Sequence, residues 1–571
     1  MSRPTASSET STTDPTTGRC MAPPRENAAV TEIWRPGAAA GGVVRLARTD
    51  DFDSLDPGNT YYAYTWNFLR LVGRTLATFP SAPGAAGREV VADLAVSLGE
   101  PSRDLRRWRY RLREGLRYED GSAVHAADVA HAIVRSNYGS VLGAGPTYFR
   151  SVLGDDVDGD PNDGGLPRGL IVEDEHTLVF ELVRPFAAFD MLATLPSTTP
   201  VPRRLDSGAD YMLHPVATGP YAVASYQRGE RLVLQRNPYW DAATDPVRTQ
   251  QPERIEVLLG LDPHDVDEAV VDGPAHADLA GFGVQPRAQA RLLADPALRA
   301  NTDNPLTGFT WIYCISQNVA PFDNVHLRRA VQLATDKPAM QAAYGGTVGG
   351  DIATTILPPT MPGYRPFDRY PARADGTPDL DAARAELALA GHPDGFVTRI
   401  AARHDRLKEL RAAEALSAGL ARVGIDAEVV TFSSGEYFEK RGGCPAFLKE
   451  NGIGIVMFGW GADFPDGYGF WQQIVDGRAI KELGNQNMGE LDDPVVNRLL
   501  DEASASADAA QREEIWARID ELVMEHAVIV PYLYPRSLLY RDPALANVTV
   551  SGAFGMYDYA SLGLAAPVVD A

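Results

Sequence analysis

Residues 409–423 repeat apolar side chains at Leu410, Ala413, Leu416, Leu420 and Val423, and the run stops at Gly424 and passes directly into residues 425–432. That spacing is one face of a helix, and the glycine supplies the backbone freedom that ends it. The segment beyond is rich in β-branched and aromatic residues, which suit a pleated surface. A helix feeding a strand so abruptly is a crossover unit, and it confines the chain to a layered α/β architecture. The same alternation recurs. Residues 43–47 predict a strand, and 65–76 a helix with Phe68, Leu69, Val72 and Leu76 on one face. Residues 108–112 alternate as a strand, Glu119-Asp120-Gly121 marks a turn, and a helix is predicted from Ala126, with Asp128 in the first turn where the helix dipole favours an acid. Strands are predicted at 176–183, 231–236 and 309–315, the last with Trp311 and Tyr313 as core, and a helix at 324–335. A final helix opens at Asp508, buries Ile515, Trp516, Ile519, Leu522 and Val523, and returns to extended chain at 528–532.

At 571 residues the chain exceeds what a single core organises, so two or more domains are expected. Fifty-three basic against 76 acidic residues give a net charge of −23, which repels phosphate backbones and anionic lipid. Nucleic acid is thereby excluded as a partner, and a cationic or zwitterionic one is better tolerated. Cys20, Cys314 and Cys444 form no Cys-x-x-Cys pair, which supports neither a disulfide framework nor a zinc knuckle. No run reaches the roughly 18 apolar residues of a membrane-spanning helix. Residues 1–41, rich in Ser, Thr, Pro and Ala, read as a disordered tail with no readable secretory signal, and Thr17-Gly18-Arg19 does not fit a lipid attachment at Cys20. Residues 155–165 repeat acids like a calcium loop. The twelfth position is Pro167 counted from Asp156 and Gly169 counted from Asp158, where a bidentate acid is required, so a solvated acidic loop is expected and no cofactor or metal is assigned.

Residues 458–471 concentrate rings, glycines and acids directly after the apolar run 453–457. This reads as a binding loop and not a core strand, with glycines that admit a guest and Asp463 set among rings that strip water from it. The alternative is an ordinary loop acid that caps a turn before Pro465. Tyr61, Tyr62, Tyr64 and Trp66 alternate in an extended segment before a helix, lining either a cleft or an interface between lobes.

Several stretches together resemble the family 5 extracellular solute-binding proteins, the peptide, dipeptide and nickel receptors of ABC importers. They are residues 108–129, including Leu112-Arg113-Glu114-Gly115-Leu116; Thr218-Gly219-Pro220-Tyr221; Arg236-Asn237-Pro238-Tyr239-Trp240; Ala320-Pro321-Phe322-Asp323-Asn324; Arg328-Arg329-Ala330; and the loop at 460–463. They fall in the family's order across residues 42–565. The resemblance implies a two-lobed periplasmic-binding-protein-like fold, class II and cluster C type, with a hinge of two crossing strands that closes like a trap. Lobe I would comprise residues 42–305 with 530–571, and lobe II residues 306–529. It also implies that Asp463 pairs with a ligand's free amino group, with Trp460, Gly461, Phe464, Tyr62, Tyr64 and Trp66 beside it. The partners implied are a peptide or similar small amine-bearing ligand and ABC permease subunits, for a monomeric extracytoplasmic receptor that performs no chemistry. Two departures stand out. His125 occupies a helix cap where Ser or Thr is common, and Gly73-Arg74-Thr75-Leu76 replaces the usual Tyr-Glu-Gly-Leu. The alternative is a cytoplasmic protein of the same fold, acting as an intracellular carrier or as an enzyme such as a cyclase that works by confinement. Common catalytic motifs, including Gly-x-Ser-x-Gly, His-Glu-x-x-His and a Walker loop, are absent from the sequence, and nickel or haem capture lacks a clear ligand cluster.

Overall fold

The computed structural model describes residues 32–143, 145–279 and 283–565, together with the backbone of two short paired strands, Thr12–Thr13 and Cys20–Met21. Most of the expected tail lies outside the described residues. Residues 32–41, assigned to that tail from composition, instead run along the body: the Trp34 and Ala39 amides donate to Val548 and Leu564 carbonyls at 2.8 Å, and the Arg541 guanidinium sits 4.2 Å from the Trp34 ring centroid. Their partners lie some five hundred residues away, beyond the reach of local pattern.

Three sheets carry the architecture. The first has the order Tyr221–Gln227, Arg231–Arg236, Arg254–Leu258, Val43–Ala47, Ala277–Asp278. The second is antiparallel and orders Leu170–Asp174, Thr177–Glu181, Arg107–Arg111, Glu100–Pro101. Helix Ala126–Asn137 begins beside it, and Asp128 makes good the weak cap at His125 by accepting the His125 backbone N–H at 2.9 Å. The third sheet orders Gly350–Ile352, Ile529–Pro535, Phe309–Ile315, Ile453–Gly461, Val397–Arg403, Asp426–Phe432. The crossover unit is built here: helix Leu407–Ala421 leads into Asp426–Phe432, which lies parallel to Val397–Arg403.

The crossing segments meet where Leu306 bridges Arg536, with the Thr307 amide on the Pro535 carbonyl at 3.0 Å and the Ser537 amide on the Pro305 carbonyl at 3.1 Å. The expected junction at 530 falls inside strand Ile529–Pro535. Ile529–Pro535 is tied along its length to Phe309–Ile315 and Gly350–Ile352, and only beyond it does Leu539–Tyr540 pair with Thr302–Asp303. Two apolar strands of one buried sheet leave no local signal of where the chain departs.

The predicted helix 65–76 is shorter, Ala63–Leu69. A Cβ on Gly73 would stand 2.7 Å from Thr199, and Arg74 leaves the helix for a buried cluster in which it binds Asp93 at 2.8 Å, while Arg248 binds Asp93 at 2.7 Å and Asp245 at 3.3 Å. In the acidic loop, Asp158 pairs with Arg168 at 3.1 Å.

The second and third sheets share one hydrophobic cluster. Tyr148 packs on Phe464 at 5.5 Å, Phe186 on Tyr468 at 4.7 Å, and the Ala187 amide donates to the Ser504 carbonyl at 2.7 Å, so the molecule is closed across its cleft.

Candidate functional site

Strand Ile453–Gly461 ends at the cleft, a short turn follows, and helix Gly467–Val475 starts at Asp466, whose carboxylate accepts the Tyr468 amide at 2.8 Å. Residues 458–471 are therefore not one loop. Phe458 to Gly461 continue the strand, paired with Ile312 to Phe309, and only residues 462–466 form a turn. The glycines serve rings of their own sheet: a Cβ on Gly459 would fall 1.8 Å from the Trp311 ring, and one on Gly461 2.9 Å from Phe309. Trp471 is fully buried in the core.

The turn holds Asp463 against the opposite lobe. The Tyr61 hydroxyl donates to its Oδ2 at 2.6 Å and the Tyr148 hydroxyl donates to the same oxygen at 2.5 Å. Burial first, and then the Asp463 charge, hold the Tyr148 phenol well above its ordinary value, so it remains a donor. Burial pushes the Asp463 carboxyl up, and the Tyr148 and Tyr61 hydrogen bonds oppose that rise. Among the described residues no cation forms an ion pair with Asp463. An enclosed carboxylate served only by neutral donors is a strong acceptor for a positive charge brought from outside.

Asp463 lies in the wall of a cavity of about 1090 Å³ between the lobes. Pockets for small organic ligands run roughly 300–1,000 Å³, so this one has room for a molecule of several residues. Several rings line the wall, among them Tyr62, Trp66, Phe309, Phe438, Trp460 and Phe554. Trp460 is fixed by its indole N–H on the Phe470 carbonyl at 2.7 Å, and Trp66 by its own on the Thr60 carbonyl at 3.1 Å. Gly461 also lines the space.

Two predicted site residues lie elsewhere. Tyr64 is buried, with the Arg48 guanidinium 3.8 Å from its ring centroid, and it stacks on Tyr62 without reaching the cavity wall. Phe464 is buried against Tyr148, so it joins the lobes and does not face a guest. Alternation in an extended segment misassigned Tyr64 because helix Ala63–Leu69 begins two residues before the expected start at Thr65 and takes Tyr64 into its buried first turn. Sequence reasoning missed Tyr148, Arg88 and Phe438. Tyr148 reaches Asp463 across 315 residues and carries no local signal.

The bacterial extracellular solute-binding protein model, family 5 middle, matches residues 89–482. The dipeptide-binding protein of Escherichia coli K12 is 27% identical over 506 residues, covering 82% of this chain and 84% of the relative. Heme-binding protein A of Haemophilus influenzae is 27% identical over 367 residues, and the chain spans 60% of that relative's length. Among solved structures, clavulanic acid biosynthesis oligopeptide binding protein 2 superposes with a TM-score of 0.91 at 45% identity, covering 95% of this chain and 98% of that one. The Helicobacter pylori periplasmic binding protein DppA in complex with the peptide STSA superposes at 0.71 with 20% identity, over 92% and 99% of the two chains. The two-lobed fold of these proteins is the fold of this chain.

Proposed function

The chain belongs to the bacterial extracellular solute-binding proteins of family 5, and from that premise we propose that it captures an oligopeptide or similar amine-bearing solute in the interlobe cavity and hands it to an ABC permease. The carrying observation is Asp463, an enclosed carboxylate held by Tyr61 and Tyr148 hydroxyls with no cation of its own among the described residues. An ammonium group entering the cleft gains a charge-assisted hydrogen bond there, and the same oxygen ties the two lobes together, so capture and closure reinforce one another. The name of the relative at 45% identity, an oligopeptide binding protein, supports the ligand class. So does the strand edge at Gly459 to Gly461. Its neighbour Val397–Arg403 pairs with it only as far as Val456, which leaves main-chain groups on that side for an extended peptide.

The hinge in this reading runs through residues 304–307 and 535–538, with lobe I formed by the segments outside those points and lobe II by the segment between. The working location is extracytoplasmic, the working state a monomer, and the role is binding without covalent chemistry. Calorimetry with trialanine and N-acetyl-trialanine tests the ligand class: the free amine is expected to bind and the acetylated peptide to bind far more weakly. Equal affinity for the two removes the role given to Asp463. Delivery is tested by uptake of radiolabelled tripeptide in the host with and without the gene, and unchanged uptake rejects it.

A further inference from the structure

A second cavity, of about 240 Å³, lies beside the segment that follows the crossing strands and shares no described lining residue with the cavity that holds Asp463. Its floor is apolar. Val266 and Val270 of helix Pro263–Val271, with Leu539 and Tyr540 just beyond the crossing, line it and are buried. Asp267 breaks that floor. It sits on the same helix between the two valines and is only 8% exposed, whereas Asp265 and Glu268 beside it are exposed. Its Oδ2 accepts the Gln285 amide at 3.0 Å, and among the described residues no cation forms an ion pair with it, which leaves Oδ1 to the cavity. Burial pushes the carboxyl up, and the Gln285 hydrogen bond and then the exposed His264 oppose that rise. A buried acid among apolar groups and without a cation costs the fold stability, and an ammonium brought from outside removes that penalty through a charge-assisted hydrogen bond. The rest of the wall favours a single positive charge. Asp50 and Asp278 line it together with Asp267, against one guanidinium, that of the exposed Arg406, which solvent screens. Pockets for drug-sized ligands run roughly 300–1,000 Å³, so this one is matched to a guest of a few heavy atoms.

We propose that this cavity is a second binding site, which takes a small primary amine on a short branched alkyl chain. The ammonium group sits on Asp267 Oδ1 and the alkyl body on Val266, Val270 and Leu539. The site stands apart from the capture reading above, since neither Asp463 nor a peptide takes part in it.

The test is calorimetry at neutral pH and low ionic strength with 3-methylbutylamine and its neutral counterpart 3-methylbutan-1-ol, on the full chain and on Asp267→Asn, Val270→Phe and Asp463→Asn. Asparagine keeps an oxygen for the Gln285 amide, and equal thermal midpoints certify the fold. The unmodified protein is expected to bind the amine about 10- to 100-fold more tightly than the alcohol, the range of a hydrogen-bonded charged group. Asp267→Asn is expected to lose that preference. Val270→Phe, which fills the floor and leaves the acid in place, is expected to lose the amine altogether, and Asp463→Asn to bind it as the unmodified protein does. Should Asp267→Asn fail to fold, Val270→Phe and the comparison with the alcohol decide. An Asp267→Asn variant that keeps the preference, or a Val270→Phe variant that still binds, overturns the proposal. Binding lost only in Asp463→Asn places the amine in the first cavity and overturns it too, as does an unmodified protein that does not bind the amine.

Discussion

Asp463→Asn removes a charge and little else. Asparagine has the same shape and keeps an oxygen for the Tyr61 and Tyr148 hydroxyls, which now sit 2.6 and 2.5 Å from Oδ2. Hydrogen bonds to a charged group contribute about 1.5–3 kcal/mol and neutral ones about 0.5–1.5, so two bonds made neutral weaken closure by about 2 kcal/mol. A bound ammonium also loses its counter-ion in an enclosed site, a change that costs about 2–5 kcal/mol where buried charge pairs are broken. One carboxylate serves both purposes, so these contributions overlap and do not add. The net expectation is about 2–5 kcal/mol, or about 30-fold to several-thousand-fold in Kd for trialanine. N-acetyl-trialanine has no ammonium to lose and should suffer only the weaker closure. Calorimetry of both peptides on both proteins gives the four numbers needed. An Asn variant that binds trialanine as tightly as the unmodified protein would falsify the assignment, and an equal loss for the two peptides would reduce Asp463 to an interlobe tie.

Three further outcomes follow from the geometry. Asp93→Asn leaves Arg74 and Arg248 buried with Asp245 alone to balance them, and should destabilise the protein by about 3–5 kcal/mol, read as a lower urea midpoint; a shift under about 1 kcal/mol contradicts the account. Burial pushes the Asp520 carboxyl to about 7 despite the Leu357 and Ile356 amides it accepts at 3.0 and 3.1 Å. The folded protein therefore holds a proton there that the unfolded chain releases near pH 4, and stability from this group falls as pH rises from about 4 to 7. Relative to Asp520→Asn, the unmodified protein should lose up to about 4 kcal/mol across that window, and a difference independent of pH rejects the reasoning. Gly459→Ala forces a methyl to within 1.8 Å of the rigid Trp311 ring, so a loss of about 1–3 kcal/mol and a change in tryptophan emission are expected; a variant as stable as its parent shows that the strand pair relaxes freely.

Much of the framework was legible in the chain. The helix read at 409–423 is Leu407–Ala421, the helix capped at Asp508 is Ala509–His526, and the strand at 309–315 is Phe309–Ile315. These are properties of spacing and caps, set by residues within a few turns of each other. The ordered family-like stretches carried the fold class, and the family match and the superposed structures agree with it. Legibility failed where meaning depended on distant partners. Gly459 and Gly461 read as room for a guest, yet they make room for Trp311 and Phe309 on the neighbouring strand. Tyr64 and Phe464 looked like cleft residues, but the one packs under Arg48 and the other between the lobes.

By itself the sequence determined the layered α/β class, the order of its helices and strands, and Asp463 as the acid to watch, because periodicity, capping and turn chemistry act over short stretches of backbone. Only the tertiary structure decided that Tyr148 donates to that acid, that Arg88 lines the same chamber, and that the chain leaves its third sheet after Pro535. These are contacts between segments up to several hundred residues apart, and they exist because closure of two lobes brings those segments within hydrogen-bonding distance.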